Sequence, residues 1–355
     1  MATNQSLGTL PEKMRVYAHT TTGKPSDVLT LTELPLPPLP QPGSSDVLVR
    51  ITHTTALFGD AFMMTITPSF LRDKPCIPAI EFAGTVVAVD PQGVATPPSP
   101  ALTVGAEVYG AVPMGRVFKK MPGAAAPSGA LAEYVLVPAS RVVRRPENVS
   151  REHAAGLGGA SSCTALALVQ KAKLERGQKA LVYGSNGSVG TLALQIAREA
   201  VGPTGKVVAV CGPAGIEVAK TLGADEVINR QEHGAIWELL ADRFKEDPFD
   251  AILDAYGLAE IFTWCAPYLK QDGTYVTVGT AFTSWTLWGA ITHPRNFVSV
   301  MNDDGPEAME EIRRLAEEGK LRLHVDSVVD LQDVPKGGVP DLLRDKAARA
   351  FFGSA

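Results

Sequence analysis

The chain has 355 residues, more than one hydrophobic core of ordinary size requires and enough for two domains. Hydrophobic residues make up 45% and charged residues 20%, so the composition is that of a globular protein and excludes a disordered or fibrous one. The net charge is −5, with acidic and basic residues interspersed, which argues against a nucleic-acid partner.

The cysteines Cys76, Cys163, Cys211 and Cys265 lie far apart and form no CxxC pair, which argues against a disulfide framework or a structural zinc ribbon. The N-terminus, Met1–Lys13, is polar and lacks the apolar segment of a signal peptide. The longest apolar stretch, Thr280–Ile291, has about a dozen residues, whereas a membrane helix needs about 20. We therefore expect a cytoplasmic protein with no membrane partner.

The first part of the chain shows short strand patterns separated by glycine and proline. The proline-rich run Leu34–Gly43 excludes a helix and favours an extended segment on the surface. The predicted strands are Met14–Ala18, Asp46–His53, Glu81–Val89, Glu107–Ala111 and Leu131–Val137. This spacing predicts an all-β, barrel-like domain over residues 14–140.

From about residue 150 onward, strands alternate with helices, the pattern of a parallel, doubly wound sheet. The predicted strands are Lys179–Tyr183, Lys206–Val210, Glu226–Ile228, Asp250–Asp254 and Tyr275–Val278. The predicted helices are Arg151–Gly158, Thr164–Ala172, Thr191–Ala200, Ala214–Leu222 and Pro306–Glu318. We place one domain at residues 146–299, and assign residues 1–145 and 300–355 to the other.

A glycine-rich loop connects the strand Lys179–Tyr183 to the helix that follows it. Its residues are Gly184, Ser185, Asn186, Gly187, Ser188, Val189 and Gly190. Glycines permit the tight turn and let the backbone approach a pyrophosphate, while the helix N-terminus offers N–H groups to the phosphates. Because the strand–turn–helix context is present, the loop predicts a dinucleotide site.

The end of the next strand indicates which dinucleotide binds. NAD sites usually place an Asp or Glu there to hold the ribose hydroxyls. This strand ends instead in Val210, Cys211 and Gly212, and the first acid that follows is Glu217. The missing carboxylate favours NADPH, with Lys220 and Arg230 as candidate partners of the 2′-phosphate or, alternatively, ordinary surface charges.

Several segments together resemble the quinone oxidoreductase branch of the medium-chain dehydrogenases/reductases, and the resemblance covers nearly the whole chain. They are Asp46–Met64, Ile77–Val89, the glycine-rich loop with its helix, Leu222–Asn229, Phe249–Gly257, Leu269–Gly279 and Met309–Leu321. The resemblance implies an α/β fold, with a GroES-like β-barrel catalytic domain, a Rossmann domain and an active-site cleft between them. It adds Tyr256 and Gly279 to the candidate cofactor-binding residues.

The resemblance also implies a reductase that works without zinc. Zinc-dependent members place a Cys where this chain has Phe58-Gly59-Asp60, and a GHE where it has Ala79-Ile80-Glu81. The lobe with four closely spaced cysteines is missing as well. A catalytic zinc needs three protein ligands, and the sequence does not supply that set. Relatives also often carry a Tyr where this chain has Thr65–Phe70, and a final strand where it ends in KAARAFFGSA.

Two residues are the candidate catalytic groups. Asp60 matches a family Asp beside the cleft, and Thr164 matches a family position near the nicotinamide. The alternatives are a turn-capping Asp and a helix N-cap Thr. His53 is interpreted as a core residue, and no His is an evident partner for Cys163 as a nucleophile.

An apolar acceptor pocket is predicted from two groups of large side chains, with core packing as the alternative. They are Phe62, Met63, Met64 and Phe70, and then Phe282, Trp285 and Trp288. We therefore expect NADPH-dependent reduction of a conjugated C=C or a quinone, in a protein that could be a homodimer. A non-redox isomerase, lyase or cyclase on the same scaffold is the first alternative. A crystallin-like or RNA-contacting binding protein is the second.

Overall fold

The computed structural model describes residues 9–71, 74–91, 102–113, 129–232, 234–257, 259–278, 296–300, 305–325, 327–336 and 350–353. The chain divides into two compact units. The first comprises Met1–Ala160, Asp304–Glu318 and Val325–Ala355, and the second comprises Ser161–Asp303 and Gly319–His324. Residues 146–160, which the sequence assigned to the Rossmann domain, thus belong to the first unit, and residues 300–303 belong to the second. The segment Gly319–His324, which the sequence assigned to the first domain, also belongs to the second unit.

A side chain of the second unit accounts for that difference. The amide of Gln195 donates to the carbonyl of Arg322 at 2.9 Å and accepts from the Arg322 N–H at 2.8 Å. Lys320 also forms an ion pair with Glu199 at 2.6 Å. Contacts between residues so distant in sequence leave no local pattern, so the segment could not be assigned from the sequence.

The strands of the first unit are mostly antiparallel. They are β1 (Lys13–Ala18), β2 (Thr30–Pro35), β3 (Asp46–Thr55), β4 (Glu81–Val89), β5 (Glu107–Ala111), β6 (Tyr134–Pro138), β7 (Val142–Arg144), β14 (Ser327–Asp330) and β15 (Ala350–Gly353). β1 and β2 form a hairpin, and the others form a sheet in the order β14-β15-β3-β4-β5-β7, with β6 paired to β3. The chain end therefore does form a strand, which pairs antiparallel with β3.

Both faces of strand β3 are covered by apolar residues. Val47, Val49 and Ile51 belong to the main core of the unit, whereas Leu48 lies in a second apolar cluster on the other face. Leu36 and Leu39 of the proline-rich run pack against that second cluster. The prediction that this run lies on the surface was therefore wrong in part, because the run covers the outer face of the sheet.

The helices of the first unit are short, apart from the last. They are α1 (Pro25–Val28), α2 (Phe58–Ile66), α3 (Arg151–Ala155) and α9 (Pro306–Glu317). α2 was not predicted, because its nine residues, FGDAFMMTI, are fewer than the roughly 11–18 over which a helical period is recognised. α3 ends three residues before the predicted position, where the glycines of Gly156–Gly159 begin.

The second unit is a doubly wound, parallel sheet, as predicted. Its strands are β8 (Lys179–Tyr183), β9 (Lys206–Cys211), β10 (Glu226–Asn229), β11 (Phe249–Asp254), β12 (Leu269–Val278) and β13 (Asn296–Val300). They lie in the order β10-β9-β8-β11-β12-β13, and all neighbours are parallel. The sixth strand, β13, was not predicted from the sequence.

Helices pack against this sheet. They are α4 (Ala160–Ala172), α5 (Ser188–Val201), α6 (Ile216–Thr221), α7 (Ile236–Phe244) and α8 (Ala259–Thr263). α4 begins four residues before the predicted start at Thr164 and includes the buried residues Ser161 and Ser162. The earlier start was not predicted, because serine is only a moderate helix former. No helix in the described part of the chain is long and apolar enough to cross a membrane.

Candidate functional site

The strand order places a crevice at the carboxyl edge of the parallel sheet. β8 is flanked by β9 on one side and by β11 on the other, so the chain leaves neighbouring strand ends in opposite directions. In doubly wound sheets a ligand binds at this switch point. The loops that follow β8, β9, β10 and β11 therefore form the walls of the candidate site.

The glycine-rich loop follows β8 and has the geometry of a phosphate cradle. Gly184 adopts a φ of +76°, which favours glycine, and a Cβ on Gly190 would clash with the carbonyl of Gly184. Gly187 caps α5 with its backbone only, since no side chain caps the helix. The open helix N-terminus at Ser188 suits a diphosphate, so these residues fit the dinucleotide that the sequence predicts.

The polar side chains of the loop fix its shape. The hydroxyl of Ser185 is fully buried and donates to the carbonyl of Val210 at 3.2 Å, which ties the loop to β9. Asn186 packs so closely on Gly215 that a Cβ there would clash with it. Val189 is half-buried in the first turn of α5. Ser185 therefore holds the loop and turns its hydroxyl away from the crevice.

The ends of β9 and β10 meet beside the loop. Cys211 is buried, and its carbonyl accepts from the N–H of Arg230 at 2.9 Å. Burial raises the pKa of Tyr183 to about 12, and the positive charge of Arg230 opposes this rise. The Arg230 guanidinium is half-buried and has no carboxylate partner among the residues that the structure describes. The charge of Arg230 also acts on Cys211, so a cation lies near the end of β9, where NAD sites carry an acid.

Lys220 differs from Arg230 in its surroundings. Its ammonium group donates to Glu217 at 2.8 Å, one turn away on the exposed face of α6. The charge of Lys220 is thus already paired, which makes Arg230 the better candidate for a phosphate.

Tyr256 completes the wall after β11. Its ring is 45% exposed and meets the ring of Tyr183 edge to face, with the centroids 6.2 Å apart. Its Cβ lies close to Gly184 of the glycine-rich loop. Gly279, Phe282, Trp285 and Trp288 lie outside the described residues.

Sequence reasoning overlooked the residue beneath Tyr256. Asp254 is 1% exposed and accepts hydrogen bonds from the backbone N–H groups of Tyr256 and Gly257 and from the hydroxyls of Tyr275 and Thr277. The available signal was an Asp at the end of the apolar strand sequence FDAILD.

Asp60 lies in the first unit, in the first turn of α2. Its carboxylate accepts from the N–H of Leu57 at 2.8 Å, as in the carboxylate half of a capping box. The N–H of Ala79 is a second donor. Burial nevertheless raises the pKa of Asp60 to about 7, against the effect of both donors. Asp60 therefore caps the helix and also titrates near neutral pH.

Thr164 lies inside α4 and is buried, so the alternative of a helix N-cap is wrong. The cause is the earlier start of the helix at Ala160. Thr164 has partners within the fold, and only 8% of its surface is exposed.

The described residues, His53 among them, form no metal centre. His53 Nε2 lies 3.7 Å from the carboxylate of Glu152, and desolvation lowers the pKa of the imidazole while Glu152 opposes this shift. Across the described ranges, no group of three or more His, Cys, Asp or Glu side chains could hold a metal ion. The zinc-free interpretation stays a prediction.

Two family models match separate parts of the chain. An alcohol dehydrogenase GroES-like domain covers residues 43–147, and a zinc-binding dehydrogenase domain covers residues 222–337. The first range lies within the first unit, and the second covers the later part of the second unit and the segments in which the chain returns to the first.

Curated relatives match over most of their length. The chain is 29% identical to a trans-enoyl reductase, poxH, from Penicillium oxalicum, over 90% of this chain and 92% of the relative. It is also 29% identical to a 2-methylene-furan-3-one reductase from Solanum lycopersicum, over 89% of this chain and 72% of that protein.

The fold has close counterparts among solved structures. A quinone oxidoreductase from Coxiella burnetii superimposes with a TM-score of 0.79 at 21% identity, over 97% of this chain and 100% of the other. This likeness supports the predicted fold class, a GroES-like domain with a Rossmann domain. The two domain models and the curated relatives show that the chain belongs to the medium-chain dehydrogenase/reductase superfamily of oxidoreductases.

Proposed function

We propose that this protein is a zinc-independent, NADPH-dependent reductase. Its acceptor is a C=C bond conjugated to a carbonyl, in an enone or an enoyl thioester, or a quinone. The observation that carries the proposal is the glycine-rich cradle at the switch point of the parallel sheet. It is supported by Arg230, for which the described part of the chain offers no carboxylate partner. The acceptor class is supported by the relatives, which are named as trans-enoyl and methylene-furanone reductases.

The choice of NADPH over NADH rests on charge. A 2′-phosphate carries up to two negative charges, and an Asp or Glu at the end of β9 would repel it. Gly212 stands there, and a Cβ on it would meet nothing closer than the Gln231 amide at 4.0 Å. Arg230 next to this open space can donate charge-assisted hydrogen bonds to the phosphate.

The residues of this chain would hold the cofactor and supply the proton. Bound NADPH supplies the hydride. The loop Gly184–Gly190 and the first turn of α5 would hold the diphosphate. Tyr256 would border the nicotinamide half, and we also assign Thr164 to the nicotinamide side. Asp60 can keep a proton near neutral pH, because burial raises its pKa to about 7. It is the group that we propose to relay the proton once the hydride has been transferred.

The acceptor is proposed to be apolar. Ile66 at the end of α2 is 52% exposed, and Phe70 and Leu71 just after it are 70% and 45% exposed. An apolar surface of this kind on the helix that carries Asp60 suits a greasy substrate better than a polar one. A homodimer and a cytoplasmic location stay predictions.

The non-redox alternatives are not favoured by any contact in the described structure. An isomerase, lyase or cyclase would convert its substrate while the amount of NADPH stays constant, which distinguishes it from a reductase. A binding protein would change neither the amount of NADPH nor the amount of substrate.

Calorimetric titration with NADPH and NADH, combined with NADPH oxidation on a panel of enones, enoyl thioesters and quinones, tests the proposal. We expect NADPH to bind more tightly than NADH and to be consumed with at least one acceptor class. Equal or tighter binding of NADH would contradict the cofactor assignment. Binding without consumption on any acceptor would contradict the reductase.

Arg230→Ala tests the phosphate contact separately. A hydrogen bond to a charged group contributes about 1.5–3 kcal/mol, so NADPH affinity should fall by about 10- to 100-fold while NADH affinity changes little. Lys220→Ala is the matched comparison on α6, and its effect should be small because Glu217 already pairs this charge. Equal losses of NADPH and NADH affinity in Arg230→Ala would instead show a general role in folding.

A further inference from the structure

The turn after β11 is held by a buried carboxylate that the proposed function does not use. One oxygen of Asp254 accepts from the N–H groups of Tyr256 at 3.0 Å and Gly257 at 2.8 Å. The other accepts from the hydroxyls of Tyr275 at 2.7 Å and Thr277 at 3.1 Å, both on β12. The carboxylate therefore joins the turn to the neighbouring strand.

The turn needs this support because its backbone is unusual. Gly257 has a φ of +78°, which favours glycine. The two N–H groups that bond to Asp254 form an Asx-type turn, in which a side chain replaces the backbone acceptor. Without the carboxylate, the N–H groups of Tyr256 and Gly257 would lose the hydrogen bonds that fix the turn.

What the turn presents is the exposed ring of Tyr256. This ring lies against Tyr183 and the backbone of Gly184, so its position is set on one side by the glycine-rich loop and on the other by Asp254. In a doubly wound sheet, the three strands on each side of the switch point bind one mononucleotide half each. β8, β9 and β10 carry the diphosphate loop and Arg230, so β11 and its turn border the nicotinamide half.

We propose that Asp254 is a positioning residue for the nicotinamide half of the cofactor, which it serves by holding the Tyr256–Gly257 turn at the end of β11. This inference rests on the proposed function. Asp254 touches no part of the cofactor itself, because it is 1% exposed. Its effect on the cofactor passes through Tyr256.

The geometry also explains why a carboxylate can stay in this place. Burial raises the pKa of Asp254, and the bonds from Tyr275, Gly257, Tyr256 and Thr277 oppose the rise. Burial likewise raises the pKa of Tyr275 well above its ordinary value. The Tyr275 hydroxyl therefore stays protonated and donates a hydrogen bond to Asp254. An Asn can reproduce the arrangement, because its oxygen can accept from the turn and its NH₂ can donate to the two hydroxyls.

The test compares two ligands on three variants of the full chain. NADPH carries both halves, whereas adenosine 2′,5′-bisphosphate carries only the half assigned to β8–β10. For Asp254→Ala we expect NADPH affinity to fall by about tenfold or more, because the turn that carries Tyr256 loses both hydrogen bonds to the carboxylate. Affinity for the bisphosphate should stay within about twofold, because the Arg230 side of the crevice is intact.

Two further variants separate positioning from stability. Asp254→Asn should restore most of the NADPH affinity, and Thr277→Val should leave it nearly unchanged, because this variant removes a bond to Asp254 without freeing the turn. Melting temperatures are recorded for all three. Equal losses for both ligands in Asp254→Ala, or no loss for either, would overturn the positioning role. If the unmodified protein binds neither ligand, the proposed function fails instead.

Discussion

Asp60 combines two properties that usually oppose each other. A carboxylate in the first turn of a helix is stabilised as an anion by the helix N–H groups and the macrodipole. Burial acts in the opposite direction and is the larger effect here, because the pKa rises from 3.8 to about 7. The residue therefore exchanges a proton in the range where a general acid or base is most effective.

Asp60→Asn should lower kcat by about tenfold or more, since one positioned proton-transfer group contributes roughly 10²–10⁴-fold. NADPH affinity should stay nearly intact, because Asp60 lies outside the glycine-rich loop and the Arg230 region. Steady-state rates and NADPH titration on the same folded sample check this. A variant with unchanged kcat and a lower melting temperature would restrict Asp60 to helix capping, which contributes about 1 kcal/mol.

Stability should depend on pH through the same residue. The folded protein binds the Asp60 proton more tightly than the unfolded chain does, so this contribution is complete below about pH 4 and is lost as the pH rises through about 7. Denaturant unfolding across this range should therefore show a steeper loss of stability in the unmodified protein than in Asp60→Asn. Asp27→Asn is the control, because Asp27 is exposed in the first turn of α1. Parallel pH curves for all three proteins would contradict the raised pKa.

At the scale of elements, the glycine-rich loop depends on close approach between α5 and the loop itself. The last glycine lets the first turn of the helix pass over the Gly184 carbonyl, and any larger residue would push the two apart. The absence of a side chain at Gly190 thus allows the helix to pack tightly and also leaves the phosphate-binding N–H groups accessible.

Gly190→Ala should therefore weaken NADPH binding strongly and lower the melting temperature. A forced shift in a packed place costs about 1–3 kcal/mol. Gly234→Ala is the matched control in the same unit, because a Cβ there would meet nothing within 4 Å and the residue has no positive φ. Unchanged NADPH affinity in Gly190→Ala would show that the loop is not the diphosphate site.

At the scale of the whole molecule, the two units differ in how the chain builds them. The second is nearly continuous, whereas the first uses three separate segments, including α9 and the strands β14 and β15. Asn148 illustrates the closure of the first unit, because its amide donates to the carbonyls of Ala316 and Glu317 at the end of α9. Residues far apart in sequence are therefore needed for a single core.

Activity should not depend on a metal ion. The segments at Phe58–Asp60 and Ala79–Glu81 lack the Cys and His that zinc-dependent members place there, so no three-ligand zinc set is evident in the sequence. Incubation with EDTA or phenanthroline should leave NADPH oxidation unchanged, and elemental analysis should find no stoichiometric zinc. Loss of activity that added zinc restores would contradict the prediction.

The sequence by itself determined the fold class and the dinucleotide loop, because both depend on local order. A strand, a glycine turn and an apolar helix follow one another within a few residues, and alternating strands and helices require a parallel sheet. The same locality explains the failures. Helix α2 is too short for a helical period to be recognised, and α4 begins with Ala160, Ser161 and Ser162, of which the serines do not signal a helix.

Only the tertiary structure decided how distant residues meet. The pairing of β9 with β10 brought the backbone of Arg230 next to Cys211, whereas Lys220 forms an exposed ion pair with Glu217. The pairing of β11 with β12 placed two hydroxyls on Asp254, and burial moved the pKa of Asp60 to about 7. Desolvation and contacts across strands depend on where the whole chain goes, so no local pattern encodes them.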